Sequence, residues 1–141
     1  MKIIIVFSVL LLAGSDVYAD ASQQQFLSEF VLGQYRLIGK GPDSDRTYSG
    51  QVEIFSESGK LRFRRVIADS TVNGEAAVVD AAGGETNVLR MQFNKDGVAY
   101  EDTCLIQSDL DNYARISCYL YRRDGATREP GLEALFVLPS R

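Results

Sequence analysis

"VAYEDTCLIQSDLDNYARISCYLYR", residues 98–122, contains both cysteines of the chain, Cys104 and Cys118. On either side of its polar middle, apolar and polar residues alternate with the period of two that marks a half-buried strand. Reflected about Asp111, the stretch becomes a hairpin. Cys104 then falls opposite Cys118, Ile106 opposite Ile116, and Asp102 opposite Leu120. Facing residues on one side of an antiparallel pair have Cβ atoms ~4.5–5.5 Å apart, close to the ~3.5–4.5 Å of a disulfide, so a Cys104–Cys118 bond is expected. Val98, Tyr100, Cys104, Ile106, Ala114, Ile116, Cys118 and Leu120 make one mostly apolar face, read as core. Glu101, Thr103, Tyr113, Arg115, Ser117, Tyr119 and Tyr121 make the other, which belongs to solvent, to a partner or to a polar lumen.

Other readings of the hairpin fit less well. A catalytic thiol needs a base, and the chain has no histidine. Asp109 and Asp111 are hard oxygen donors, but a calcium loop of the EF type needs a third acid or amide and a glycine where Tyr113 and its neighbours stand. Asp43 and Asp45 in "PDSDRTYSG" lack the same parts. With no histidine and both thiols used, no transition-metal site is expected, and no cofactor.

The hairpin sits in a chain of 141 residues, length for one domain. At its start, "MKIIIVFSVLLLAGSDVYADA" has the three parts of a secretory leader: Lys2, an apolar run from Ile3 to Ala13, and Val17 and Ala19 before a cut. The run is shorter than the ~20 residues of a membrane span. Residues 1–19 are therefore read as a signal peptide and 20–141 as the mature domain, secreted or periplasmic, where two nearby thiols oxidise. The net charge of −4 argues against a nucleic-acid partner, which demands a basic face.

After the leader, residues 22–33 read as a short helix. Ser22 stands as N-cap, Phe26/Phe30 and Leu27/Val31 are i, i+4 pairs sharing one face, and Gly33 is the stop. The period then changes to two. Strands are expected near 34–40, 47–56, 60–69, 74–80, 87–93, 98–106, 113–122 and 132–138, separated by turn chemistry such as "ESG" and "NKDG". Eight strands joined by short turns make an up-and-down antiparallel sheet, and a sheet that long removes its edges by closing.

Two stretches resemble bacterial calycin-like barrels, the superfamily of lipocalins and fatty-acid-binding proteins. "TYSGQVEIFSESGKLRF" has the Tyr-x-Gly-x-Val-x-Ile pattern followed by a glycine turn and an alternating strand. "LGQYRL" stands where a lipocalin carries Gly-x-Trp, with Tyr35 in place of the Trp. The resemblance implies an eight-stranded up-and-down barrel behind a short helix, often with an internal ligand cavity. It also implies a role for Arg65. Within "LRFRR" (61–65) alternation puts Arg65 on a face with Leu61, Phe63 and Ile67, and Arg62 and Arg64 on the other. A charge on an apolar face is costly unless paired. In calycin barrels an inward arginine often meets a ligand carboxylate, which makes Arg65, Phe63 and Leu61 the candidate ligand contacts. The alternative account of Arg65 is an internal salt bridge, or a face shifted by a bulge.

Enzyme signatures are missing. No phosphate-binding glycine loop runs from a strand into a helix, and Glu53 and Glu101 lie on different strands with nothing in sequence to pair them as glycosidase carboxylates. Three non-enzymatic readings remain. The chain is a carrier with a small apolar or amphiphilic ligand in its lumen, or a protein-binding module such as an inhibitor of a lysozyme-type hydrolase, or a filled barrel with no small ligand. For a protein partner, the Tyr113, Arg115, Tyr119 and Tyr121 surface has the residue types that dominate interaction hot spots.

Overall fold

The computed structural model describes residues 16–106 and 115–139. It contains one helix, α1 (Asp16–Phe30), and eight strands: β1 (Gly33–Lys40), β2 (Thr47–Glu57), β3 (Lys60–Ile67), β4 (Ser70–Ala81), β5 (Thr86–Lys95), β6 (Val98–Leu105), β7 (Arg115–Arg122) and β8 (Gly131–Val137). Each strand pairs antiparallel with the next, and β8 pairs with β1, so the sheet is a closed barrel. The eight expected strands are all present. β4 begins earlier than expected because Ser70–Asn73, mostly polar but extended, continue the ladder against Arg64–Ile67. β3 ends sooner because Ala68, at φ 50°, already belongs to the turn.

The sharpest hairpins are made by residues suited to positive φ. Ser58 and Gly59 (51° and 75°) join β2 to β3, and Asp96 and Gly97 (51° and 77°) join β5 to β6. Paired positive φ values twist the chain in the sense that adjoining strands require.

Eight strands leave an interior just wide enough for side chains to fill. Here Leu37, Val52, Ile54, Phe63, Leu89, Met91, Cys104, Leu120 and Leu135 are all buried within it. Phe63 meets Phe93 edge-on, with ring centroids 6.0 Å apart. Gly74 makes room for that pair: a Cβ there would stand 2.4 Å from the Phe63 ring and 2.3 Å from the Gln92 carbonyl oxygen.

α1 closes the end of the barrel where β1 begins. Leu27 and Val31 are buried, and the Tyr35 hydroxyl donates 2.8 Å to the Val31 carbonyl, tying the helix end to β1. Two expectations about the helix are corrected. It starts upstream of Ser22, which lies inside it rather than at its cap. The aromatic pair and the aliphatic pair also do not share a face: Leu27 and Val31 point into the barrel, while Phe26 and Phe30 are exposed. Successive helical positions differ by ~100°, so 26/30 and 27/31 straddle the edge of the buried stripe. Among the described residues, no helix is long and apolar enough to cross a membrane.

Candidate functional site

The hairpin forms in the expected register. Cys104 pairs with Cys118 and Asp102 with Leu120. The two cysteines are disulfide-bonded, with Cα atoms 4.0 Å apart, and both are buried. The turn itself, with Asp109, Asp111, Tyr113 and Ala114, lies outside the described residues.

Inside the barrel sits a charged cluster. Alternation along β3 sends Arg65 inward beside Phe63, as expected, and leaves it 6% exposed. Arg65 Nη1 donates to Glu133 Oε2 at 2.8 Å and to Asp102 Oδ2 at 3.4 Å, while Nη2 donates to Glu133 Oε1 and, at 3.1 Å, to the Tyr48 hydroxyl oxygen. The Tyr48 hydroxyl in turn donates to Glu133. The guanidinium carbon lies 5.0 Å from the Phe93 ring centroid, within cation–π range. Four strands thus converge on one cation: β2 through Tyr48, β3 through Arg65, β6 through Asp102 and β8 through Glu133.

The cluster's electrostatics follow from its depth. Burial pulls the Arg65 pKa down, but the Glu133 carboxylate and its hydrogen bonds outweigh this, with Asp102 adding to them, and the net shift is upward. Burial and then the Glu133 carboxylate push the Tyr48 phenol up. Asp102 is pushed well above the usual carboxylate range, first by burial and then by the charge of Glu133, against the weaker opposing pull of Arg65. Asp102 Oδ1 is buried with no hydrogen-bond partner. Two carboxyl groups therefore face a single guanidinium, and Glu133 holds its better side.

Of the candidate ligand contacts, Phe63 and Arg65 are packed in the interior. Leu61 is partly buried and lines a surface groove of about 580 Å³ beside α1. The internal salt bridge named as an alternative for Arg65 is present, and it accounts for the charge on that face.

The outer wall offers a different site. Tyr119 and Tyr121 point outward and are well exposed, with ring centroids 6.4 Å apart. Arg115 lies on β7, while Tyr113 is outside the described residues. Residues that sequence reasoning did not select join the tyrosines. Ile38 on β1, Leu132 and Phe136 on β8, and Leu105 on β6 are exposed apolar side chains on the same wall. The ladder sets them in rows. Ile38, Ala134, Ser117 and Leu105 are consecutive cross-strand neighbours, and Leu132 beside Tyr119 forms the next row. The small residues Ala134 and Ser117 leave a depression of about 390 Å³, lined by Ile38, Leu105, Tyr119 and Leu132. The signal for this wall was in "LEALFVL": apolar residues at both parities of β8 cannot all face one core.

A second outer depression, of about 610 Å³, crosses β2 to β5 and is mostly polar. Its Arg62 is held by Glu75 at 2.6 Å and by Glu57 at 3.5 Å.

No protein-family model matches the chain, and no curated protein matches it. Among solved structures, the chain is similar to a redesigned β-barrel at 12% identity, with a TM-score of 0.53 over 79% of this chain and 95% of the other. At that identity the likeness concerns the fold alone. The calycin resemblance therefore reduces to its architecture, an eight-stranded antiparallel β-barrel.

Proposed function

We propose that this chain is an exported, non-enzymatic barrel that binds another protein through the outside of its wall. The observation that carries the reading is the gathering of Ile38, Leu105, Tyr119, Leu132 and Phe136 as exposed apolar side chains around a depression floored by Ala134 and Ser117. Scattered surface apolar residues are ordinary, but a contiguous set with a central concavity is the form of an interaction site. The state of the interior supports the same reading. An acidic amphiphile entering the barrel would have to displace Glu133 from Arg65 and push aside buried side chains. The buried disulfide is compatible with an oxidising, exported location.

A photo-crosslinking amino acid placed at Tyr119, expressed in the natural host, tests the proposal, with the same group at Phe26 as a control on the other exposed apolar region. A discrete protein adduct from position 119 and none from position 26 is the expected result. Saturable binding of a fluorescent fatty acid, with no adduct from position 119, would restore the carrier reading.

A further inference from the structure

We infer that the partner presents an apolar side chain flanked by carboxylates, and that it is not a second copy of this chain. The inference rests on the protein-binding reading above and deepens it by the charge of the same wall. The outward positions of β1 are Gln34, Arg36, Ile38 and Lys40. Those of β7 include Ser117, Tyr119 and Tyr121, and those of β8 are Leu132, Ala134 and Phe136. Not one of them is acidic, in a chain whose net charge is −4. The acidic residue of β8, Glu133, faces inward and is buried.

The cationic positions frame the depression. On one side, the ladder places Phe136 between Arg36 and Arg115; on the other, it places Leu132 between Lys40 and Tyr119. Arg36 is exposed and has no ion-pair partner among the described residues. Among the described residues Lys40 pairs only with the fully exposed Asp45, at 3.5 Å, a surface pair that contributes little and exchanges readily. A ligand knob seated on Ala134 would therefore have cations within reach on two sides. Complementary charge at a rim of this kind sets partner choice and association rate.

The same arrangement disfavours self-association. A two-fold dimer places one patch against its own copy. Here that would bring Arg36 and Lys40 towards their counterparts with no outward carboxylate among the described positions of the three strands to separate them.

The test uses the disulfide-intact chain and a phage-displayed library of random twelve-residue peptides as the probe. Enriched peptides should carry a Leu, Phe, Trp or Tyr with Asp or Glu within two positions. Ala134→Glu, which fills the depression, should weaken them by ~10-fold or more, as truncating a central anchor does. Arg36→Glu, at the rim, should weaken them by about 3-fold or more, and raising the salt should have the same effect. Enriched peptides that need Ala134 but show no acidic bias and no response to Arg36→Glu would overturn the inference and leave the protein-binding reading standing. Peptides indifferent to Ala134→Glu, or no enrichment at all, would remove both. A concentration-dependent dimer in sedimentation equilibrium that Ala134→Glu abolishes would overturn the inference in favour of a second copy.

Discussion

Asp102 gives one carboxyl oxygen to Arg65, 3.4 Å from Nη1, and leaves the other buried with nothing to accept from. Glu133, on the other flank, takes both guanidinium nitrogens. The asymmetry makes Asp102 the proton acceptor of the cluster. Its pKa is raised in the folded state, so folding takes up a proton there. The groups facing it are Arg65 from β3, Glu133 from β8 and, through Glu133, Tyr48 from β2. Its register neighbours Leu120 and Met91 are apolar, and Glu101 beside it points outward.

The sign of the pH effect follows from that uptake. The contribution of Asp102 to stability is fully present below its unfolded pKa of ~3.9 and is lost as pH rises through the higher folded value, with a slope of at most about 1.4 kcal/mol per pH unit. Asp102→Asn, a neutral stand-in for the protonated acid, removes this slope. Urea midpoints from pH 5 to 9 should fall more for the parent than for the variant. Parallel midpoint curves would show that Asp102 does not take up the proton.

Arg65→Met leaves the Glu133 carboxylate buried without its cation and should cost about 3–5 kcal/mol. Adding Glu133→Gln and Asp102→Asn should recover much of that loss, because the uncompensated charges go. Arg62→Met, on the outer face, should cost under about 1 kcal/mol. Chemical denaturation of the three variants measures all of this, and equal costs for Arg65→Met and Arg62→Met would contradict the buried cluster.

Gly74→Ala sets a Cβ against the Phe63 ring and the Gln92 carbonyl oxygen, at 2.4 and 2.3 Å. Overpacking of this kind costs about 1–3 kcal/mol. Phe63→Leu should relieve only part of it, since the carbonyl is backbone. Gly97→Ala has open space but a φ of 77°, and should cost about 1–2 kcal/mol from left-handed backbone strain alone. Thermal melts of the single and double variants separate the two causes.

Reducing the Cys104–Cys118 bond should lower stability by about 2–4 kcal/mol, the range for a loop this short. Urea unfolding with and without reductant gives the figure. Mass after alkylation under denaturing conditions gives the bond itself, and two alkylated cysteines in unreduced protein would refute it.

The parts of this fold legible in sequence were those written in short-range pattern. The eight strands, the glycine turns, the 104–118 register and the inward aim of Arg65 all follow from alternation over a few residues. The partners of Arg65 did not. Asp102 could have been found, since it shares parity with Tyr100 and Cys104 and so is an acid on a core face. Glu133 was masked by "LEALF", where Leu132, Ala134 and Phe136 make the outward parity look like the core. Its contact with Tyr48 spans 85 positions, and only closure of the sheet brings them together. The wall of Ile38, Leu105, Leu132 and Phe136 was hidden in the same way, because it is assembled from three strands across the closing seam.

That seam also sets an order of events for the folding chain. β1, among the first parts of the domain to emerge, has no partner on one side until β8 arrives, and Arg65 has no Glu133. Non-local pairings of this kind raise contact order and slow folding. The cylinder is therefore sealed only once almost the whole chain is available, and the outer wall of Ile38, Leu105, Leu132 and Phe136, which straddles the seam, is the last part to be assembled.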